Sequence, residues 1–98
     1  MSQVKCYMLK RYRVFGYSML PTLQNGQPVL AESLSYLFKA PEVGDMVIVK
    51  GDRTLVKRIT QKIGDRYFVE GDNQRESADS RNFGFINKNS IMGKVIVL

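Results

Sequence analysis

The fold class is decided by residues 46–60, which read MVIVKGDRTLVKRIT. Met46–Lys50 is an apolar, β-branched run that predicts a strand, and Thr54–Thr60 predicts a second strand that returns beside it. Gly51-Asp52, between the two runs, is a typical hairpin signal. The sequence therefore indicates an antiparallel β-hairpin at the centre of the chain.

Short apolar runs broken by turn residues continue on both sides of this hairpin. Extended segments are expected at Val14–Met19, Val29–Ala31, Tyr67–Val69 and Ile91–Leu98. Ser33–Phe38 is ambiguous between helix and strand, and no helix longer than about two turns is predicted. Strands at this spacing predict a mostly β protein, either a small barrel or a coiled β-sheet.

Length and composition exclude several classes of protein. The 98 residues are expected to form one domain, 1–98, because two independent cores need a longer chain. The absence of histidine excludes every His-based triad, and a single cysteine excludes both an intrachain disulfide and a Cys/His zinc site. We therefore expect neither a metal nor a cofactor.

Charge and hydropathy narrow the expected partners and location. The net charge of +6 is compatible with nucleic acid, an acidic membrane or an acidic partner, and it selects none of them. No apolar run approaches the roughly 18 residues that a membrane span needs, and Met1–Tyr17 does not resemble a secretory signal. A protein without a membrane span, located in the cytoplasm, is expected.

Lys57 is the first candidate for chemistry. Because side chains alternate along a strand, Lys57 lies on the same face as Leu55 and Ile59. If that face is the core, burial lowers the pKa of the amine, and a neutral lysine is a general base. The alternative is a lysine that extends from a strand edge into solvent, and alternation alone favours this alternative.

Ser18 is the second candidate. It follows Gly16 and precedes Pro21, so it is expected on a bend where its own backbone N–H faces a developing oxyanion. Without histidine, this serine needs a different base to act as a nucleophile. The alternative is an ordinary turn serine.

The third candidate is a polar segment, Gly71–Arg81. Structureless loops of this length are uncommon in compact domains and are often functional. Asp79 and Arg81 are expected to pair, and Ser77 is placed to hydrogen-bond a neighbouring amine. A solvated surface loop is the alternative, whereas a calcium loop of the EF-hand type fails on its spacing.

Taken in this order, the segments resemble the type I signal peptidase family, S26. The four matching boxes are Gly16-x-Ser18-Met19-x-Pro21-Thr22-Leu23, Gly44-Asp45-x-Val47, Val56-Lys57-Arg58-Ile59 and Gly71-Asp72-Asn73-x-x-x-Ser77-x-Asp79-Ser80-Arg81-x-x-Gly84. They look like the nucleophile box, a structural strand, the lysine box and the C-terminal signature of that family. The resemblance covers about residues 14–95.

This resemblance implies a serine endopeptidase with a Ser–Lys dyad on a small signal-peptidase-like β fold. Ser18 matches the nucleophile, Lys57 the general base, and Ser77 the serine that orients the lysine. In the same way, Gly16, Met19 and Pro21 match the nucleophile turn and the oxyanion hole. The residues that shape the site would be Gly71, Asp72, Asn73, Asp79 and Arg81.

Departures from the family pattern point to a small member. Gly16 stands where many bacterial members have a serine, and Gln27 stands where an acidic residue is usual. Only 13 residues separate Lys57 from Gly71, too few for the inserted second domain of the larger enzymes, and no membrane anchor is seen. The chain most resembles the anchorless proteases assigned to nickel-type superoxide dismutase maturation, which implies removal of a short N-terminal leader or propeptide.

The expected partner is a protein or peptide substrate bound in extended form, with no nucleic acid. We expect Phe15, Tyr17 and Met19 to form its groove with aliphatic residues of the hairpin at 46–59. One rival interpretation is a self-cleaving repressor-type (S24-like) peptidase domain, although only 17 residues precede Ser18. The others are a basic, nucleic-acid-binding β-barrel and a non-catalytic module that binds peptides.

Overall fold

The fold is one curled antiparallel sheet of seven strands. The structure, a computed structural model, describes residues 9–50, 54–73, 75 and 80–98. The strands are β1 (Leu9–Arg13), β2 (Pro28–Glu32), β3 (Met46–Lys50), β4 (Thr54–Ile63), β5 (Arg66–Glu70), β6 (Ile86–Asn87) and β7 (Ile91–Val97). The described helical pieces are α1 (Ser35–Phe38), α2 (Ser80–Phe83) and a 3-10 turn at Lys88–Ser90. The predicted mostly β fold is confirmed.

The strands do not follow chain order across the sheet, which reads β1-β2-β7-β3-β4-β5-β6. The last strand, β7, pairs with β2 on one side and with β3 on the other. It therefore joins the N-terminal hairpin to the β3–β4 hairpin, leaving β1 and β6 as the two edges.

The β3–β4 pair at the centre of the chain is antiparallel, as predicted, and its register is continuous. Lys50 pairs with Thr54 and Val47 with Lys57, while residues 51–53, including the predicted Gly51-Asp52 turn, lie outside the described residues. A register shift between Ile59 and Gln61 marks an irregularity in β4 where it pairs with β5.

Two apolar clusters pack on the sheet, because neighbouring residues of one strand face opposite sides. Ile48 belongs to the first cluster, whereas Val47 and Val49 belong to the second. The first cluster also contains Val14, Met19, Leu23, Val29, Ala31 and Val95. The second contains Tyr36, Ile59, Tyr67 and Val69. Both clusters therefore meet in the β3–β4 region.

Several predicted elements differ from those observed. Val14–Met19, expected to be extended, instead bends and turns after β1 ends at Arg13. β1 itself was missed because its sequence, LKRYR, is mostly polar and exposed, as an edge strand allows. The ambiguous Ser33–Phe38 contains the single-turn helix α1. No helix among the described residues has the length and apolar character needed to cross a membrane.

Candidate active site

Ser18 lies half-buried in a turn whose apolar side chains pack into the core. Met19 is 1% exposed and Leu23 is fully buried, both in the first apolar cluster. The Leu23 backbone N–H donates to the Met19 carbonyl at 2.9 Å, and the Leu20–Pro21 peptide bond is cis. The next residue along the turn, Met19, thus fixes the bend on which Ser18 sits.

Gly16 shapes the approach to this turn with its backbone alone. Its φ of +85° lies in the left-handed region, which favours glycine over residues that carry a Cβ. Its N–H donates to Asn25 Oδ1 at 2.8 Å, which holds this conformation. At this position the chain therefore contributes backbone geometry and no side-chain hydroxyl.

Lys57 is buried in the middle of β4. It is 1% exposed, pairs with the buried Val47, and shares its face with Leu55 and Ile59. The solvent-exposed interpretation of this lysine, which alternation alone favoured, is therefore wrong. The core is deep enough at this position to enclose a complete lysine side chain, and burial disfavours the charged form of an amine.

Asp72 is held by a bidentate ion pair from the strand that carries Lys57. Arg58 donates from Nε to Oδ1 and from Nη2 to Oδ2, both at 2.9 Å. Thr22, just beyond the Ser18 turn, donates its hydroxyl to the same carboxylate. The Arg58 hydrogen bond is the main reason that the pKa of the Asp72 carboxyl lies below its usual value. We call these three side chains the Asp72 clamp.

Asn73 continues the connection to the nucleophile turn. Its backbone N–H donates to the Ser18 carbonyl at 2.7 Å, and its side-chain Nδ2 donates to the Tyr17 carbonyl at 3.0 Å. Asp72 and Asn73 therefore hold the turn on both sides of Ser18, while Arg58 fixes the same segment to β4. These contacts bring the serine and lysine boxes to one segment of chain, residues 71–73.

The rest of the signature box is described in part. Gly71 is buried, and Arg81 Nε lies 3.6 Å from Glu70 Oε1 at the end of β5. Ser77 and Asp79 lie outside the described residues, so the roles of both and the Asp79–Arg81 pair stay predictions.

A cavity of about 600 Å³ opens beside the Ser18 turn. It is lined by Tyr12, Arg13, Phe15, Gly16, Ile48, Thr54, Leu55 and Val56, which we call the groove. The lining residues come from the end of β1 and the segment before Ser18, from Ile48 of β3, and from the start of β4 before Lys57.

The expected groove residues divide into two groups. Phe15 lines the cavity and is 88% exposed, and Ile48, Leu55 and Val56 supply the aliphatic wall from the hairpin. Tyr17 is exposed but is not among the lining residues. The assignment of Met19 to a groove wall is wrong, because Met19 is buried in the core beneath the turn.

Sequence reasoning gave no role to Arg58 and Thr22, although both stand inside the quoted boxes. Strand alternation does place Arg58 on the face opposite Lys57, which is a signal that it reaches a different partner. Nothing local connects Thr22 with Asp72, which are 50 residues apart. Among the described residues, no group of three or more His, Cys, Asp or Glu side chains is arranged to hold a metal.

Comparison with known families agrees with this arrangement of boxes. The family model for signal peptidase, peptidase S26, matches residues 2–66 and 63–98. The chain belongs to this family. Membership supports a serine peptidase of the kind that removes leader peptides.

Relatives of the peptidase occur in plants, animals and bacteria. It is 32% identical to mitochondrial ATP-independent inner membrane protease subunit 1a of Arabidopsis thaliana, over 93% of this chain and 70% of that protein. It is 33% identical to mitochondrial inner membrane protease subunit 1 of Mus musculus, over 82% and 63% of the two chains. Against signal peptidase I V of Bacillus subtilis (strain 168), identity is 27% over 95% and 87%.

The predicted cytoplasmic location is wrong. Relatives of this peptidase are named as mitochondrial inner membrane proteases, and another is a probable thylakoidal processing peptidase of Arabidopsis thaliana, of which the chain spans 35%. These names point to membrane-associated compartments. The prediction failed because hydropathy tests only for spanning segments, whereas proteins also associate with membranes through amphipathic surfaces and lipid anchors.

The Asp72 clamp makes stability depend on pH. Because the pKa of Asp72 is lower in the folded chain than its ordinary 3.8, the clamp stabilises fully above about pH 4–5. Its contribution is lost as pH falls through the lowered value. We expect Asp72→Asn to reduce the free energy of unfolding at pH 7 by about 1–2 kcal/mol and to flatten its acid dependence.

Urea unfolding between pH 2 and 7 measures this effect. Asp65→Asn, at an exposed turn, is the matched control and should leave the acid dependence close to that of the unaltered chain. An Asp72→Asn variant with the unaltered acid dependence would contradict the ion-pair argument.

Proposed function

We propose that the chain is a serine endopeptidase in which Ser18 is the nucleophile and Lys57 its general base. It would remove a short N-terminal leader or propeptide from a protein substrate that binds in extended form. The observation that carries this proposal is the complete burial of Lys57 on β4, beside the segment that holds the Ser18 turn. A lysine deprived of water favours its neutral form, which accepts a proton.

The reaction proceeds in two steps, acylation of Ser18 and hydrolysis of the acyl-enzyme. Ser18 Oγ bonds to the scissile carbonyl carbon while its proton passes to the neutral Lys57 amine. The backbone N–H of Ser18 stabilises the resulting oxyanion. Collapse breaks the peptide C–N bond, and the Lys57 ammonium returns the proton to the leaving amine. Water then gives a proton to Lys57 and bonds to the acyl carbon, and the Lys57 ammonium returns that proton to Ser18 Oγ as the ester C–O bond breaks.

The Asp72 clamp and Asn73 support this chemistry by placement. Effective general base catalysis needs the nucleophile within hydrogen-bond reach of the base. The hydrogen bonds from Asn73 to the carbonyls of Tyr17 and Ser18 fix the turn, and the clamp fixes the same segment to the strand of Lys57. Ser77 and Asp79 are proposed to orient the lysine and to shape the site, as the family resemblance implies.

The pH dependence of cleavage tests the proposal. Only the neutral amine of Lys57 accepts the Ser18 proton, so kcat/KM for a leader-type peptide should rise with pH as that amine loses its proton. The measurement is initial rate from pH 6 to 9 with a peptide cut slowly enough for chemistry to limit the rate. A flat profile under these conditions would contradict a titrating lysine base.

The substrate that we propose to test first is a nickel-type superoxide dismutase precursor. This choice rests on the resemblance of the boxes and spacing to the small maturation proteases. Incubation of the purified precursor with the peptidase should release its N-terminal extension, detected by intact-mass spectrometry. An uncut precursor, beside a leader peptide that the same preparation cleaves, would exclude this substrate and leave the peptidase assignment standing.

A further inference from the structure

We propose that Arg13 makes this peptidase select substrates that carry an acidic side chain in the part of the peptide occupying the groove. The inference rests on the proposed peptidase function and names its class of substrate. Arg13 ends the edge strand β1, is exposed, and lines the groove beside the Ser18 turn.

The guanidinium of Arg13 is already oriented before any ligand arrives. Its Nη1 donates to the Gly26 carbonyl at 2.7 Å. A guanidinium carries five N–H donors in a rigid fork, and this bond uses one of them. An arginine held in this way loses little side-chain entropy when it binds a carboxylate, which favours recognition over a freely moving lysine.

The rest of the groove complements a negative charge. Among the lining residues that the structure describes, Arg13 carries the only charge, and the others are apolar or neutral. Ile48, Leu55 and Val56 line the same cavity with aliphatic groups, which lowers the local dielectric and strengthens a charge-assisted hydrogen bond. A substrate carboxylate would therefore be attracted by Arg13, and no Asp or Glu among the described lining residues would repel it.

This selection differs from the general attraction of a basic protein for acidic peptides. The net charge of +6 and the exposed Lys10 and Arg11 raise association with any acidic segment, wherever its charges lie. A single oriented arginine acts at one place. An extended peptide advances about 3.3 Å per residue, so only one or two successive side chains reach Arg13. The preference should be confined to those positions.

A glutamine-to-glutamate scan of a cleavable peptide tests the proposal. Each position on both sides of the cut is changed in turn, and kcat/KM is measured with the unaltered chain, with Arg13→Gln and with Lys88→Gln. Glutamine at position 13 removes the charge and keeps a polar side chain with N–H donors. Lys88 is an exposed residue that follows β6, the opposite edge strand, and its replacement changes the net charge equally.

We expect glutamate to be preferred about fivefold at one or two adjacent positions, the size of effect that a partly exposed charge pair supplies. The preference should disappear in Arg13→Gln and persist in Lys88→Gln. A preference that survives Arg13→Gln, that falls equally in both variants, or that is absent from the unaltered chain would overturn the inference.

Binding to a Ser18→Ala chain separates this inference from the proposed function. The Kd of the glutamate and glutamine peptides is measured by fluorescence anisotropy, with and without the Arg13→Gln change. The fivefold difference should depend on Arg13 here as well, even though nothing is cleaved. If the unaltered chain cuts no peptide, the proposed function fails, and the binding measurement alone decides the role of Arg13.

Discussion

Ser18→Ala and Lys57→Met are each expected to lower kcat/KM for peptide cleavage by at least about a thousandfold. Members of a catalytic dyad act as a unit, so removing either one removes the whole pathway. Methionine suits position 57 because Lys57 is buried, and a long apolar side chain fills the same space without a charge. Cleavage followed by mass spectrometry, on chains whose thermal unfolding has been recorded, gives the result.

The matched control for the lysine change is Lys62→Met on the same strand. Lys62 is exposed, and its ammonium lies 5.7 Å from the centre of the Tyr67 ring. We expect this variant to retain the unaltered rate within about twofold, since a surface charge is remote from the chemistry.

A folded Ser18→Ala chain that still cuts at the original rate would remove Ser18 from the mechanism.

Arg58→Lys is expected to lower kcat by about ten- to a hundredfold with little change in KM. Lysine keeps the charge but loses the paired N–H donors that hold both Asp72 oxygens at 2.9 Å, as well as the bond from Nη1 to the Gly44 carbonyl. The segment that carries Asn73 then shifts, and with it the Ser18 turn. Displacements of about 1 Å in a nucleophile are enough for losses of this size.

Thr22→Val tests the same clamp from the other side, because it removes one hydroxyl while preserving shape. We expect a smaller fall in kcat than for Arg58→Lys, since one donor to Asp72 is lost instead of the paired fork. Arg66→Lys, at an exposed position of β5, is the control for an arginine-to-lysine change. If the clamp variants change only the melting temperature, or only KM, the clamp does not position the nucleophile.

The sequence by itself determined the local structure and the identity of the chemical groups. Met46–Lys50 pairs with the strand that starts at Thr54, as predicted, because both strand signals are contained within fifteen consecutive residues. The absence of histidine left lysine or a carboxylate to activate a nucleophile, and the order of the boxes indicated the family before any contact was known. These properties depend on neighbours in the chain, so they can be read along it.

Tertiary structure alone decided which of these groups lie together. β7 enters the sheet between β2 and β3, and the core that results buries Lys57, which alternation alone placed in solvent. Asp72 finds Thr22 across 50 residues and takes Arg58 as its partner. Burial and long-range pairing are set by the topology that closes the sheet, because they depend on residues that no local pattern connects.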